Sequence, residues 1–248
     1  MDEMTKHDPD AGFEPAFAAP PNACDAHFHV FGPAERYAYG ADIRYKPPYE
    51  PLEAYLKLTR RIGFVRYVFV QPSAYGFDNS CMFDSMRELD PAVRRAIIDL
   101  DDSKTSDKEL ADMNALGVRG IRVNVSPVRK PEAGLAASML PHIARLTKIS
   151  KELGWHLDFL TPGWLVSELM PTLRGLPIEF SVAHMGLFPA KDGPGQPGFQ
   201  EFLKLVGDGS KRCWVLCHEY RRSTRRYATV REMKEGPCLL YTSDAADE

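Results

Sequence analysis

Short apolar runs rich in β-branched and aromatic residues recur along the chain from residue 24 onward, bounded by glycine, proline or polar residues. Runs of this length and composition predict buried strands. Seven strands are predicted, with the sequences CDAHFHVF (24–31), VRYVFVQP (65–72), RRAIIDL (94–100), GIRVNV (120–125), WHLDFL (155–160), IEFSVAHMG (178–186) and RCWVLC (212–217). The intervals between successive runs leave room for a crossover element.

Those intervals carry apolar residues every three or four positions, which predicts amphipathic helices. Six helices are predicted, over residues 51–63, 80–89, 106–117, 137–154, 163–176 and 196–207. Ser106, followed three residues later by Glu109, is a capping box that marks a helix start. Gly63, Gly117 and Gly154 come at helix ends, where a left-handed residue closes the last turn.

Regular alternation of strand and helix is typical of parallel strands with helical crossovers, so the predicted fold class is α/β. Two architectures satisfy it, an open doubly wound sheet and a TIM (β/α)8 barrel. No Gly-x-Gly-x-x-Gly sequence follows the first strand, whereas polar residues stand at several strand ends, which a barrel gathers at one mouth. We therefore predict an incomplete TIM barrel of about seven strands, with strand eight missing.

The chain of 248 residues is 44% hydrophobic and 26% charged, enough for one large domain with a sizeable core. We predict an extended or disordered arm over 1–22, the barrel over 23–217 and an aberrant tail over 218–248. The net charge of −3 gives no basic field for nucleic acid, and no apolar run reaches the ~20 residues that span a bilayer. We expect no nucleic-acid or membrane partner and a cytoplasmic protein whose five scattered cysteines are reduced.

The first strand carries the densest candidate chemistry, in the sequence DAHFH. Because side chains alternate along a strand, Asp25, His27 and His29 are predicted to share one face, with Asp25 two residues deeper. Neutral imidazoles two residues apart can hold a divalent metal or polarise a substrate oxygen directly. The alternative for these residues is a structural polar network.

Two later strands supply partners for these histidines. His184, in the sequence AHMG, stands at the carboxyl end of strand six, so three histidines from two strands are expected to converge at the barrel mouth. Arg122 and Asn124 share one face of strand four. A buried, inward arginine implies an anionic substrate; the alternative is an internal ion pair, for example with Asp25.

Four segments, DAHFHVFGP, VFVQPSAYGFDN, GVRGIRVN and VAHMG, resemble in order and spacing the amidohydrolase-related (amidohydrolase 2) family of TIM-barrel hydrolases, above all its pyrone-dicarboxylate and sugar-acid lactonases. The resemblance implies a hydrolase that opens a carboxylate-bearing lactone by attack of activated water. His27, His29 and His184 match the family's histidines, which bind a divalent metal such as zinc in some members and act without an essential metal in others.

The resemblance also implies where a small anionic substrate binds. Arg122, Tyr45 and Ser73 match substrate-contacting positions of the family, and Asn124, which shares a strand face with Arg122, is expected to contact the substrate as well. Leu160 and Leu187 stand where an aromatic hydroxyl and an arginine are common in the family, so a less highly charged lactone than a pyrone dicarboxylate is expected.

The carboxyl-terminal part departs from the family pattern. A Gly-Thr-Asp-Trp-Pro-His-like sequence, which carries the family's general base, does not occur, and the last residues, GPCLLYTSDAADE, resemble nothing in the family. We expect a truncated or frame-shifted end. Two alternative functions therefore stand beside the lactone hydrolase: a metal-dependent decarboxylase of the same family, and an inactive truncated product that only binds ligand.

Overall fold

The structure, a computed structural model, describes residues 15, 19–40, 43, 47–126, 129–207 and 213–215. Its strands are β1 (Cys24–Phe28), β2 (Arg66–Val70), β3 (Arg94–Ile98), β4 (Val118–Asn124), β5 (His156–Leu160), β6 (Phe180–Val182) and β7 (Cys213–Val215). Its α-helices are α1 (Leu52–Ile62), α2 (Ser80–Arg87), α3 (Asp107–Leu116), α4 (Leu135–Leu153), α5 (Gly163–Gly175) and α6 (Pro197–Gly207). Each lies within the predicted interval or extends it by at most two residues.

The seven strands form one sheet in chain order, and every neighbouring pair is parallel. A doubly wound sheet reverses its strand order part way along, so consecutive order with helical crossovers identifies the barrel type of α/β fold. Among the described residues there is no eighth strand, and β1 and β7 are the sheet edges. The predicted incomplete barrel is thereby confirmed.

Helix ends follow the local sequence signals. The Ser106 hydroxyl accepts a hydrogen bond from the Glu109 amide at 3.3 Å, and the Glu109 carboxylate accepts one from the Ser106 amide at 2.8 Å. Both halves of the predicted capping box are therefore present. Gly63 and Gly117 adopt φ values of 95° and 117°, a region that glycine enters without the clash of a Cβ atom.

A β-bulge in β1 changes which way its side chains point. Asp25 lies opposite Tyr67 and Phe28 lies opposite Phe69, so three steps along β1 match two along β2. Phe28 stacks on Tyr55 of α1 at a ring-centroid distance of 3.8 Å, and the Tyr55 hydroxyl donates to Asp25 at 2.6 Å. The prediction that Asp25 shares the histidine face is therefore wrong, because one extra residue shifts the alternation.

The two faces of the sheet differ in chemistry. The helix-facing side is apolar and holds most of the core, with Phe28, Phe69 and Leu146 each no more than 1% exposed. On β4 and β5, by contrast, Arg122 lies opposite Asp158 in the register, and both side chains are buried. Charged groups thus occupy the middle of the sheet on the side away from the helices.

None of the helices among the described residues combines the length and apolar character that crossing a bilayer requires. The tail 218–248 and most of the arm 1–22 lie outside the described residues, so the predicted domain limits and the cytoplasmic location stay predictions.

Replacing the helix cap of α3 tests the local energetics. Ser106→Ala removes the hydroxyl that accepts from the Glu109 amide, and the free energy of unfolding is expected to fall by about 1 kcal/mol. The matched control is Lys108→Ala, which removes an exposed ion pair to Asp112 at 2.6 Å and is expected to cost less than about 0.5 kcal/mol. Urea denaturation measures both, and equal losses in the two variants contradict the capping account.

Candidate active site

The two histidines of the DAHFH segment lie buried at the carboxyl end of β1. His27 is 6% exposed and His29, just past the strand, is 5% exposed. Their ring centroids are 5.1 Å apart, with the ring planes at 76°. The His29 Nδ1 atom lies 2.8 Å from the Val70 carbonyl oxygen. When Nδ1 donates to that carbonyl, the neutral ring keeps its acceptor lone pair on Nε2.

His184 reaches the same place on a strained turn. The strand β6 ends at Val182, two residues before His184, so the predicted strand over 178–186 is too long. His184, Met185 and Leu187 adopt φ values of 52°, 53° and 49°, and each non-glycine residue in this left-handed region costs roughly 1–2 kcal/mol. The turn brings the His184 ring centroid to 5.5 Å from that of His27.

His27 therefore lies between two other imidazoles. The convergence of three buried histidines from β1 and the turn after β6 is the arrangement that the spacing of the motifs predicts. Backbone strain of this kind is retained where the surrounding structure enforces it, and it is common at functional sites. The turn after β6 thus gives a second, independent sign that this end of the sheet carries the chemistry.

Arg122 lies at the middle of the sheet, 1% exposed. Its Nε atom contacts the Asp158 carboxylate at 3.2 Å, and its Nη1 atom donates to the Gln71 carbonyl at 3.1 Å. The Ser181 hydroxyl donates to the other Asp158 oxygen at 2.5 Å. Arg122 thus has an internal ion pair, but Asp158 and not Asp25 is its partner.

Asp99, at the carboxyl end of β3, is a residue that sequence reasoning missed. Burial raises the pKa of its carboxyl group to about 6, against opposing effects of the Arg122 charge and of hydrogen bonds from the Leu100 amide and the Asn124 side chain. The signal was available, because Asp99 ends its strand in the same way as the histidines and Asn124 end theirs. Asp99 was included in the predicted strand RRAIIDL (94–100), and only its burial distinguishes it there.

Asn79 holds the backbone of Asp99 in place. Its side-chain nitrogen donates to the Asp99 carbonyl at 2.9 Å and to the Phe77 carbonyl at 3.0 Å, and its side-chain oxygen accepts from the Asp99 amide at 3.3 Å. Asn79 is 6% exposed, so this clamp lies inside the protein. The loop before α2 and the end of β3 are therefore joined next to Asn124 and Arg122.

The remaining predicted contacts are less central. Ser73 is exposed at the first position of a short 3-10 turn, Ser73–Tyr75, directly after β2. Tyr45 lies outside the described residues. Leu160 is fully buried at the end of β5. Of the four predicted substrate contacts, the structure places Arg122 and Asn124 beside Asp99.

The histidines do not form a ready metal centre. Within the part of the chain that the structure describes, no group of three or more His, Cys, Asp or Glu side chains is arranged to hold a metal ion. A carbonyl partner on Nδ1, such as Val70 provides for His29, is common for histidines in metal sites and elsewhere. As placed, the described side chains do not fit a metal.

The parallel strands follow one another in chain order with helical crossovers, which defines a (β/α)-barrel protein. Its candidate active site lies at the barrel mouth, where the buried histidines meet at the carboxyl ends of the strands. The chain belongs to the amidohydrolase family, whose family model matches residues 24–223.

Two curated relatives are hydrolases by name. The chain is 32% identical over 214 residues to a 2-pyrone-4,6-dicarboxylate hydrolase of Comamonas testosteroni, covering 83% of this chain and 66% of that protein. It is 30% identical over 190 residues to a 4-sulfomuconolactone hydrolase of Hydrogenophaga intermedia, covering 77% of this chain and 61% of that protein. The chain thus spans less than two thirds of the length of these relatives.

Solved structures agree on the fold. A "probable 2-pyrone-4,6-dicarboxylic acid hydrolase" of Acinetobacter baumannii, with citric acid bound, matches with a TM-score of 0.66 and 25% identity over 78% of this chain and 69% of that chain. An amidohydrolase of Burkholderia multivorans with bound zinc matches with a TM-score of 0.53 and 16% identity, over 77% of this chain and 68% of that chain. The second likeness shows the fold alone.

Breaking the central ion pair tests its role in stability. Asp158→Ala leaves the Arg122 guanidinium buried without its carboxylate, and the free energy of unfolding is expected to fall by about 3–5 kcal/mol. The matched control is Ser181→Ala, which removes only a hydroxyl donor to Asp158 and is expected to cost about 1–3 kcal/mol. Denaturant midpoints measure both, and a loss below about 1 kcal/mol in the Asp158 variant contradicts the account.

The raised pKa of Asp99 predicts a pH-dependent gain in stability for Asp99→Asn. Because the folded-state pKa of about 6 exceeds the ordinary value of 3.8, ionisation of Asp99 lowers the stability of the wild-type protein as pH rises from about 4 to 6. The variant escapes that loss, so it is expected to match wild type near pH 4 and to be more stable by roughly 2–3 kcal/mol at pH 8.

Urea unfolding at the two pH values measures this gain, with Asp101→Asn as the control from the same loop. The Lys104 and Ser103 side chains hold the pKa of Asp101 below its usual value, so its substitution is expected to give no such gain. A stability difference between wild type and Asp99→Asn that does not change with pH refutes the prediction.

Proposed function

We propose that this protein hydrolyses a carboxylate-bearing lactone, using water activated at the three histidines. The convergence of His27, His29 and His184, all buried at one end of the sheet, is the observation that carries the proposal. The names of the two curated relatives support the reaction class, since both are hydrolases and one is named for a lactone.

Attack of water on the lactone carbonyl places negative charge on the carbonyl oxygen, and N–H donors aimed at that oxygen stabilise it in a buried site. His27 and His184 are proposed to be those donors. His29 Nε2, the acceptor nitrogen when Nδ1 donates to Val70, is proposed to take the proton of the attacking water. Collapse of the tetrahedral intermediate breaks the ring carbon–oxygen bond, and the same proton passes to the leaving oxygen.

The substrate is proposed to be a small anion that binds beside Arg122 and Asn124. Bound citric acid in the Acinetobacter structure and the dicarboxylate and sulfonate in the names of the relatives support an anionic substrate. Asp158 already balances the charge of Arg122, and Leu160 offers no polar group. These features favour a lactone with fewer charges than a pyrone dicarboxylate. Ser73 and Tyr45 are proposed as further contacts.

The sequence predicts the same three histidines as ligands of a divalent metal such as zinc, but as placed they do not fit one, so no step of the proposed reaction passes through a metal. The chemistry that zinc supplies when bound is polarisation of the carbonyl and a lower pKa for bound water. Elemental analysis of the purified protein decides between a metal-bound and a metal-free centre.

Substitution of His184 tests the proposed function. His184→Ala removes one donor to the developing oxyanion and is expected to lower kcat by about 10²–10³-fold. The matched control is His142→Ala on α4, where the imidazole pairs with Asp102 at 3.0 Å and is 37% exposed; it is expected to change kcat less than about twofold.

Turnover of 2-pyrone-4,6-dicarboxylate and of 4-sulfomuconolactone, followed by their ultraviolet absorbance, measures this effect in the full 248-residue chain. Circular dichroism shows whether each variant is folded. Undiminished turnover in a folded His184→Ala protein, or no turnover of any lactone by wild type, contradicts the proposal.

A further inference from the structure

The charges around Arg122 do not balance when every carboxyl group there is ionised. Asp158 on β5 contacts the guanidinium at 3.2 Å. Asp99 directly follows Ile98, which pairs with Ile121 of β4, so Asp99 lies beside Arg122 from the other neighbouring strand. One positive and two negative charges give the cluster a net charge of −1. An incoming carboxylate or sulfonate is repelled by such a cluster, because little water is present to screen the charges.

A proton on Asp99 removes this obstacle. The cluster then has a net charge of zero, and the Asp99 hydroxyl can donate a hydrogen bond to an anion. Asp158 is the carboxylate in direct contact with the guanidinium, so its negative charge is the one on which the buried Arg122 most depends. Of the two carboxyl groups, Asp99 is thus the one that takes up a proton at the lower free-energy cost.

We propose that Asp99 takes up one proton from solvent when an anionic ligand binds beside Arg122, and that Asp99 thereby sets the pH range over which this site binds anions. This inference rests on the proposed function for the position of the anion. Asp99 is a specificity-determining residue here, and the hydrolysis scheme above assigns it no step.

The surroundings of Asp99 suit a group that changes protonation without moving. Asn79 holds its backbone from both sides, while the Leu100 amide and the Asn124 side chain bond its carboxylate. Asn124 can turn its amide and accept from the protonated form. Neutral Asn124 and charged Arg122 of β4 interact with the carboxyl group, and charged Asp158 of β5 contacts Arg122.

The pKa of Asp99 agrees with the role that its position beside Arg122 suggests. Burial raises the pKa of Asp99 to about 6, so the free protein carries mixed protonation states near neutral pH. A negative ligand nearby raises that pKa further. The histidines at the mouth are the other groups that can gain a proton on anion binding, and the experiment must separate them from Asp99.

Isothermal titration calorimetry with benzene-1,3-disulfonate tests the inference, because both sulfonates of this ring stay ionised across the pH range. Titrations at pH 7 in bis-Tris and in Tris give the number of protons taken up, since the two cationic buffers differ in ionisation enthalpy. Wild type is expected to gain about 0.5–0.9 proton at pH 7 and close to none at pH 5, given a pKa of about 6.

The affinity follows the same titration. If only the protonated form binds, the dissociation constant of wild type is expected to rise by up to about 100-fold from pH 5 to pH 8. Asp99→Asn, neutral at every pH, is expected to take up no proton and to keep its affinity within about threefold over that range. Asp101→Asn on the same loop is the control and is expected to behave as wild type.

Three results overturn the inference: no proton uptake by wild type at pH 7, equal uptake by wild type and Asp99→Asn, or no binding of the disulfonate to wild type at pH 5. Equal uptake in the two proteins assigns the proton to the histidines. Lactone turnover is measured on the same preparations. Anion binding with proton uptake at Asp99, but no lactone turnover, refutes the proposed function and leaves the inference standing. Lactone turnover without proton uptake on anion binding supports the proposed function and refutes the inference.

Discussion

The middle of this protein depends on one guanidinium that is buried between strands. Arg122 is 1% exposed, and a charged group removed from water costs several kcal/mol unless its donors meet acceptors. Those acceptors come from separate strands: the Asp158 carboxylate on β5, itself bonded by Ser181 on β6, and the carbonyl of Gln71 at the end of β2. The charge therefore requires β2, β4, β5 and β6 to hold fixed positions around it.

The end of β2 links this cluster to the histidines. The carbonyl of Val70 contacts His29, and the carbonyl of the next residue, Gln71, accepts from Arg122. Two adjacent peptide groups thus orient an imidazole and a guanidinium with respect to each other. Backbone groups serve this purpose well, because the sheet holds them more rigidly than side chains can hold one another. The strained turn at His184 follows β6, near the other edge of the sheet from β1, and completes the site.

The candidate site was only partly predictable. Its histidines were found because motif position along parallel strands predicts which residues meet at the barrel mouth. Asp99 was missed because a single carboxyl group within a predicted strand looks ordinary until its burial beside Arg122 is known. An internal ion pair of Arg122 was only the alternative to an anionic substrate, with Asp25 as its example; the structure pairs Arg122 with Asp158, since register between β4 and β5 decides that pairing.

The sequence by itself determined which segments form strands and helices, the helix ends to within two residues, and the barrel order, because periodicity, capping residues and glycine positions act over a few neighbouring residues. Only the tertiary structure decided where Asp25 points, how His184 reaches His27 and which charges surround Arg122. A bulge, a left-handed turn and a strand register depend on contacts between residues far apart in the chain, and one residue of displacement moves a side chain to the opposite face. For that reason the two histidines of DAHFH lie together with His184 as predicted, while the aspartate in the same five residues points elsewhere.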